Sequence, residues 1–234
     1  MRNNAHDIRI SASLMCADIG DLAAEIFRAR KAGVDLIHFD VMDGCFVENL
    51  GFAPWMMAGL QKAKELPFEA HLMIDWPERY IETFAKAGAD IIIVHIEACH
   101  EIHRALAMIR GLGLAAGVAL SPGSGPERLR YTLPYVDLIT VMTVSPGFAG
   151  GKFIPEMVRK VRDISNLIRN SGFDIPIEVD GNINTDTVPL LAEAGATIFV
   201  GGSSGLYLKD KTLEEAAFEL RRSANAIMRK EASC

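Results

Sequence analysis

Short apolar runs rich in Ile, Val, Leu and Phe alternate along the chain with longer stretches in which charged and apolar residues recur at helical spacing. The apolar runs predict strands at 8–14, 35–41, 68–74, 90–96, 114–120, 137–143, 175–180 and 197–201. The mixed stretches predict surface helices at 18–31, 54–65, 77–87, 101–111, 126–133, 155–170, 185–194 and 212–229. Pro54, Pro77, Pro126 and Pro155 stand at or near first helical positions, where a missing N–H is tolerated, and Asn184 can cap the helix that follows it. The phrase Lys-Ala-Gly-Val-Asp at 31–35 returns as Lys-Ala-Gly-Ala-Asp at 86–90 and Glu-Ala-Gly-Ala-Thr at 193–197. Each copy reads as a helix stopped by glycine, with a strand starting two residues later. Eight such β-then-α units without a linker predict an α/β fold, a single (β/α)8 TIM barrel with a parallel eight-stranded core over residues 1–234. A doubly wound open sheet is the alternative, but no Gly-x-Gly-x-x-Gly follows the first strand to support a dinucleotide-binding version.

The second strand breaks its own apolar pattern. His38 and Asp40 are two residues apart, so on a strand both side chains point the same way. Burying an unpaired carboxylate costs on the order of several kcal/mol, so something must receive this pair. In a barrel, chemistry collects where strands end at the C-terminal face. Ser13 ends the first strand, His38 and Asp40 lie toward the end of the second, His71 is inside the third and Asp180 ends the seventh. Taken singly, a strand His is commonly a satisfied core residue and an Asp before Gly a turn former. Together they make a two-His, two-carboxylate donor set suited to a divalent cation, Zn²⁺, Mn²⁺, Fe²⁺ or Co²⁺. His95 and Glu97 end the fourth strand near the same face and read as supporting or structural residues. Three glycine-rich turns follow later strands, at 145–151, 180–182 and 201–205. Such turns expose backbone N–H groups, as a phosphate site of this fold requires.

Composition narrows the partners. Half of the 234 residues are hydrophobic and the net charge is −6, with a pI near 5.5. That balance argues against a nucleic-acid or anionic-membrane binder but leaves room for a small phosphorylated substrate held by backbone amides. No apolar run approaches the ~18–20 residues of a membrane-spanning helix, and the opening Met-Arg-Asn-Asn-Ala-His-Asp lacks the apolar stretch of a secretory signal. Cys16, Cys45, Cys99 and Cys234 are scattered and read as reduced thiols of a cytoplasmic protein. Cys45 reads as an incidental small residue and not a ligand.

His-Phe-Asp-Val-Met-Asp-Gly (38–44), Phe-Val-x-Asn-Leu (46–50), Ala-His-Leu-Met (70–73), Met-Thr-Val-x-Pro-Gly-Phe-Ala-Gly (142–150), Phe-Ile-Pro-Glu-Met (153–157) and Glu-Val-Asp-Gly (178–181) resemble the ribulose-phosphate 3-epimerase family. The resemblance runs over 10–205 and into the last helix. Ser-Leu-Met-Cys (13–16), Thr-Val-Met-Thr-Val (140–144), Phe-Ile-Pro-Glu-Met and Ser-Gly-Leu-Tyr (204–207) are closer to its D-allulose-6-phosphate 3-epimerase branch. The resemblance implies one divalent metal ion per chain, held by His38, Asp40, His71 and Asp180, with Asp40 and Asp180 also the proton acceptor and donor. It implies that Ser13 and His71 face the substrate, and that Met42, Met73 and Met142 wall the site. Gly147, Phe148, Ala149, Gly150, Gly181, Asn182, Gly202 and Ser203 match the phosphate- and sugar-binding loops. A homo-oligomer is also implied. Four positions depart from the family pattern: Cys45 stands where His is common, Glu48 where Pro is, Gly151 where Gln is, and Asn182 where a second Gly follows Asp-Gly. They fall in substrate-facing loops and bear on which sugar is accepted.

The chemistry can be argued from the residues too. Inverting a carbon beside a ketone needs a base on one face and an acid on the other, and Asp40 and Asp180 end different strands. The expected activity is an isomerase reaction, inversion at C3 of a ketose phosphate. The substrate pair is D-allulose 6-phosphate and D-fructose 6-phosphate, or D-ribulose 5-phosphate and D-xylulose 5-phosphate. A decarboxylase on a related barrel would need Lys two residues beyond the strand-two Asp, where this chain has Met42. A non-catalytic phosphosugar-binding or regulatory protein is the other alternative, and the intact His38, Asp40, His71 and Asp180 argue against it.

Overall fold

The computed structural model describes residues 7–231, with side chains through residue 226. Eight parallel strands close into a barrel in sequence order. They are β1 (Arg9–Ser13), β2 (Leu36–Met42), β3 (Phe68–Met73), β4 (Ile91–His95), β5 (Ala115–Leu120), β6 (Leu138–Met142), β7 (Ile177–Asp180) and β8 (Ile198–Gly201). The helices are α1 (Leu22–Lys31), α2 (Pro54–Gly59), α3 (Ile81–Ala87), α4 (Ile102–Gly111), α5 (Glu156–Ser171), α6 (Thr187–Glu193) and α7 (Leu213–Glu231). The expected parallel eight-stranded barrel is therefore the observed one, with seven of the eight expected helices among the described residues.

Alternation along each strand divides the core. Ile10, Phe39, Phe68, Ile92, Val118, Val179 and Phe199 point outward into the main apolar layer beneath the helices. Leu36, Ile93, Ala119, Leu138 and Ile198, with Ile91, fill the lower barrel interior as a separate cluster. Both faces of a parallel barrel strand are covered, which is why β2 is buried at every position.

The repeated Ala-Gly phrase performs two tasks. Gly33, Gly88 and Gly195 all have positive φ, at 77°, 98° and 112°. In each case the N–H of the residue after Gly reaches back to close the helix, Val34 to Ala29 O, Ala89 to Phe84 O and Ala196 to Leu191 O. The Asp two positions on then fastens the next strand to its neighbour. Asp35 Oδ2 accepts from Ile10 N at 2.8 Å and Asp90 Oδ2 from Phe68 N at 2.7 Å.

One expected helix is absent. Residues 126–133 form no α-helix; two 3₁₀ turns, Pro126–Leu129 and Leu133–Tyr135, connect β5 to β6. Pro134 bars a helix from continuing past Leu133, because it has no N–H to offer the Arg130 carbonyl, but nothing in the structure explains why the turn at Pro126 stays 3₁₀. Helices 18–31 and 77–87 likewise begin as 3₁₀ turns, Ile19–Asp21 and Pro77–Arg79, and 54–65 ends as one, Gln61–Ala63. Asn184 does the capping expected of it, its Oδ1 accepting from Asp186 N at 2.9 Å and Thr187 N at 3.1 Å. No helix among the described residues is long and apolar enough to cross a membrane.

Candidate active site

Strand register assembles the polar side chains. Ser13 lies beside His38, Asp40 beside His71, and Met142 beside Asp180. His38 Nε2 is 3.2 Å from His71 Nδ1, 3.5 Å from Asp40 Oδ1 and 3.9 Å from Asp180 Oδ2. His71 Nδ1 is 3.6 Å from Asp180 Oδ2. One atom from each of the four residues thus lies within 4.8 Å of the others. A cation bonded at ~2.0–2.2 Å by N and O donors needs those donors roughly 3–3.5 Å apart, so the set fits a divalent ion in both chemistry and spacing.

The far nitrogens of both rings are engaged. His38 Nδ1 is 2.8 Å from Glu69 Oε1, to which the Ser11 hydroxyl also donates. His71 Nε2 is 3.0 Å from His95 Nε2. Such outer contacts set ring orientation and tautomer in metal sites. Ser13 Oγ donates to Asp40 Oδ2 at 2.7 Å, which leaves Oδ1 facing His38.

Burial dominates the electrostatics. It pushes the Asp180 carboxyl up to about 7; the nearby His38 opposes this, while Asp40 and Glu69 add to it. Burial disfavours a charged His38, yet Asp40 and Glu69 outweigh it and hold the ring well above its ordinary value. Burial, with His95 and His38 alongside, keeps His71 well below its ordinary value, the neutral form a metal ligand requires. One layer deeper, burial and then Glu69 raise Glu178 well above the carboxylate range, and Thr140 donates to Glu178 Oε1 at 2.8 Å.

Above this cluster opens a cleft. Ser13, Asp40, Met42, Met73, Met142, Gly147, Phe148, Ala149, Gly150, Asp180, Gly181, Asn182, Gly202 and Ser203 all line it. His38 and His71 do not line it; both are fully buried behind its floor. Two asparagines hold the loop after β6, Asn49 Nδ2 donating to Gly147 O at 2.8 Å and Asn182 Nδ2 to Gly151 O at 2.7 Å. Gly181 has φ 116°, and a Cβ there would strike the Val144 side chain, so no other residue suits that turn.

Several residues escaped the sequence reading. Met15, Cys16, Val144 and Val200 also line the cleft, as do Pro146 and Ser204 from the glycine-rich turns already picked out. Ser11, Glu69, Thr140 and Glu178 form the buried polar layer below it. Their signal was a spacing of two, under Ser13, His71, Met142 and Asp180 respectively, which on a strand means the same inward face. Cys16, Cys45 and Cys99 are free; Cys45 is exposed and outside the cleft lining. Cys234 and the opening residues 1–6 lie outside the described residues.

The sequence profile described as the ribulose-phosphate 3 epimerase family matches residues 9–206. The chain belongs to that family. The ribulose-phosphate 3-epimerase of Bacillus subtilis (strain 168) is 41% identical to it over 217 residues, 92% of this chain and 99% of the relative. The protein of the same name from Methanocaldococcus jannaschii is 40% identical over 218 residues, 91% of this chain and 92% of the relative. Among solved structures, the barrel is similar to KGPDC from Streptococcus mutans, with a TM-score of 0.66 at 15% identity over 94% of this chain and 98% of that one. It is also similar to 3-hexulose-6-phosphate synthase from Salmonella typhimurium, with a TM-score of 0.65 at 15% identity over 94% of this chain and 100% of that one. At that identity the likeness concerns the fold alone.

Proposed function

We propose that this family member is a divalent-cation-dependent epimerase that inverts C3 of a ketose phosphate. One observation carries the reading: four donor atoms from His38, Asp40, His71 and Asp180 meet within 4.8 Å, the two carboxylates lining, and the two imidazoles lying just behind, the floor of a cleft bordered by the glycine-rich loops. Its relatives are named ribulose-phosphate 3-epimerases, which supports the reaction class.

The steps assign themselves to the chain's own groups. Asp40 and Asp180 stand on β2 and β7, and a substrate lying across the mouth presents one face of C3 to each. One carboxylate takes the C3 proton and the other acid returns a proton to the opposite face. In the reverse direction they exchange roles. Burial lifts the Asp180 carboxyl to about 7 in the cation-free protein, which favours its protonated form. Ser13 fixes the direction of Asp40 through its 2.7 Å hydrogen bond. The cation, when bound, supplies polarisation of the C2 carbonyl and offsets the charge of the enediolate. Met42, Met73 and Met142 line the cleft and keep water from the carbanionic carbon. Backbone N–H groups after β6, β7 and β8 receive the phosphate and fix the distance to C3.

The finer question is chain length. The names of the relatives favour D-ribulose 5-phosphate, while the motifs at 13–16 and 204–207 favour D-allulose 6-phosphate. Cation-loaded protein in deuterated water is expected to place deuterium at C3 of one of the two. Absence of exchange with both substrates would end this reading, and kcat/KM for the two ranks them.

A further inference from the structure

His71 presents Nδ1 to His38 Nε2 and Asp180 Oδ2, at 3.2 and 3.6 Å. Nδ1 is thus the ligand nitrogen, and a neutral ring must carry its proton on Nε2. That N–H faces His95 Nε2 at 3.0 Å, with the two ring planes only 17° apart. His95 then accepts at Nε2, so its own proton sits on Nδ1, which lies 3.1 Å from Glu97 Oε2. Glu97 is a carboxylate fitted to end such a chain. Burial opposes its charge, but hydrogen bonds from His95 and Ser124 hold it down at about 2. Its other oxygen accepts from Ser121 N at 2.9 Å. The buried Lys160 of α5, which donates to Ser121 O at 2.7 Å, adds a favourable charge nearby. Phe46 covers His95, the ring centroids 4.8 Å apart.

We propose that His95 and Glu97 are positioning residues, a two-bond relay that fixes His71 as an Nδ1 donor and raises its affinity for the cation. The inference rests on the metal-dependent reading above and deepens it. The two imidazoles are then supported unequally. His38 meets the Glu69 carboxylate directly, whereas His71 reaches its carboxylate through a neutral ring. An amide at position 97 cannot substitute, because it cannot accept at both ends. With its oxygen toward Ser121 N–H, its NH₂ faces His95 Nδ1 and reverses the chain.

The test is the Co²⁺ dissociation constant of chelator-stripped protein, measured by competition, together with the visible Co²⁺ absorption spectrum. Glu97→Gln and His95→Phe are expected to weaken Co²⁺ binding by about 10–100-fold, the usual effect of losing an outer-shell partner, and to shift the bands. His95→Gln is the conservative rescue. Its oxygen accepts from His71 and its NH₂ donates to Glu97, so affinity returns to within about threefold of the parent. Equal melting temperatures of the stripped proteins show that folding is intact. Unchanged affinity and spectrum in both Glu97→Gln and His95→Phe, with the parent binding Co²⁺ normally, overturn the relay alone. A parent that binds no Co²⁺ overturns the metal-dependent reading and the relay together.

Discussion

Across the barrel mouth two kinds of construction face each other. On one side, His38, Asp40 and His71 project from β2 and β3, paired by register and backed by Ser13, Glu69 and His95. On the other, the loops after β6, β7 and β8 offer mostly backbone, shaped by Gly147 at φ 117°, Gly181 at φ 116° and Asn182 at φ 52°. Asp180 belongs to both, as the last residue of β7 and the first before the Gly181 turn. The difference is one of tolerance. A strand side chain can be exchanged for a near-isostere without moving its neighbours, so its chemistry can be removed cleanly. A loop amide cannot be deleted, and must be displaced through the backbone.

The largest effects should come from the strand side. Asp40→Asn and Asp180→Asn each lower C3 proton exchange by about 10²–10⁴-fold, the usual contribution of a general acid or base. Their inorganic-phosphate affinity remains that of the parent, and circular dichroism shows the fold intact. If either variant turned over normally, that Asp would be a ligand only. Chelation of the cation should likewise abolish turnover, with recovery on adding Mn²⁺, Co²⁺ or Zn²⁺, while calorimetry shows phosphate still binding. Loss of phosphate affinity on chelation would mean that the two sides are not separable.

The loop side should respond in KM. Gly181→Ala places a methyl against Val144 in a conformation that costs an L-residue about 1–3 kcal/mol. The turn must shift, and KM for the ketose phosphate rises on the order of tenfold while kcat falls less. A pure kcat loss would show that Gly181 serves Asp180 and not the phosphate.

The two constructions were unequally visible in the amino-acid sequence. His38, Asp40 and His71 stand out because ionisable residues interrupt apolar runs, and strand periodicity says which way they point. The barrel was legible because its α-to-β junctions repeat Ala-Gly and a strand-starting Asp. Glu69 and Glu178 were missed although they obey the same spacing, since nothing local tells a buried carboxylate from a surface one. The β5–β6 connection was misread because a proline at a first turn, such as Pro126, suits the 3₁₀ turn that forms as well as an α-helix. The asparagine contacts of Asn49 and Asn182 join residues far apart in sequence, so no local pattern announces them.

Asp180 gives a smaller effect that joins the two sides. Burial lifts its carboxyl to about 7 in the cation-free protein, above the ordinary carboxylate value of about 3.9. Below pH 7 it is protonated, and a cation must displace that proton. Cation affinity is therefore expected to fall as pH drops below about 7, with His38, whose proton Asp40 and Glu69 also hold above its ordinary value, adding to the fall, as read by chelator competition. Stability of the stripped protein moves the other way. The folded state binds this proton more tightly than the unfolded chain, so the stabilisation is fully present below about pH 4. It is lost as pH rises to about 7. A flat stability profile there, matched by Asp180→Asn, would remove Asp180 as the linking group.

Asn182→Gly should have the least effect and is the finest probe of the comparison. Asn182 adopts φ 52°, a region that asparagine tolerates better than most residues and glycine enters freely. Its Nδ2 donates to Gly151 O at 2.7 Å, and its Oδ1 accepts from Asn184 Nδ2 at 2.8 Å. Glycine forfeits both bonds, each worth about 0.5–1.5 kcal/mol net, but relaxes the backbone, so the stability terms partly cancel. The amide that would face phosphate remains in place. KM is then expected to change by no more than about threefold, through looser seating of the loop after β6. A tenfold rise confined to one ketose chain length would mean that the Asn182 side chain itself reads the sugar. That result would make the loop side a matter of side chains as well as backbone.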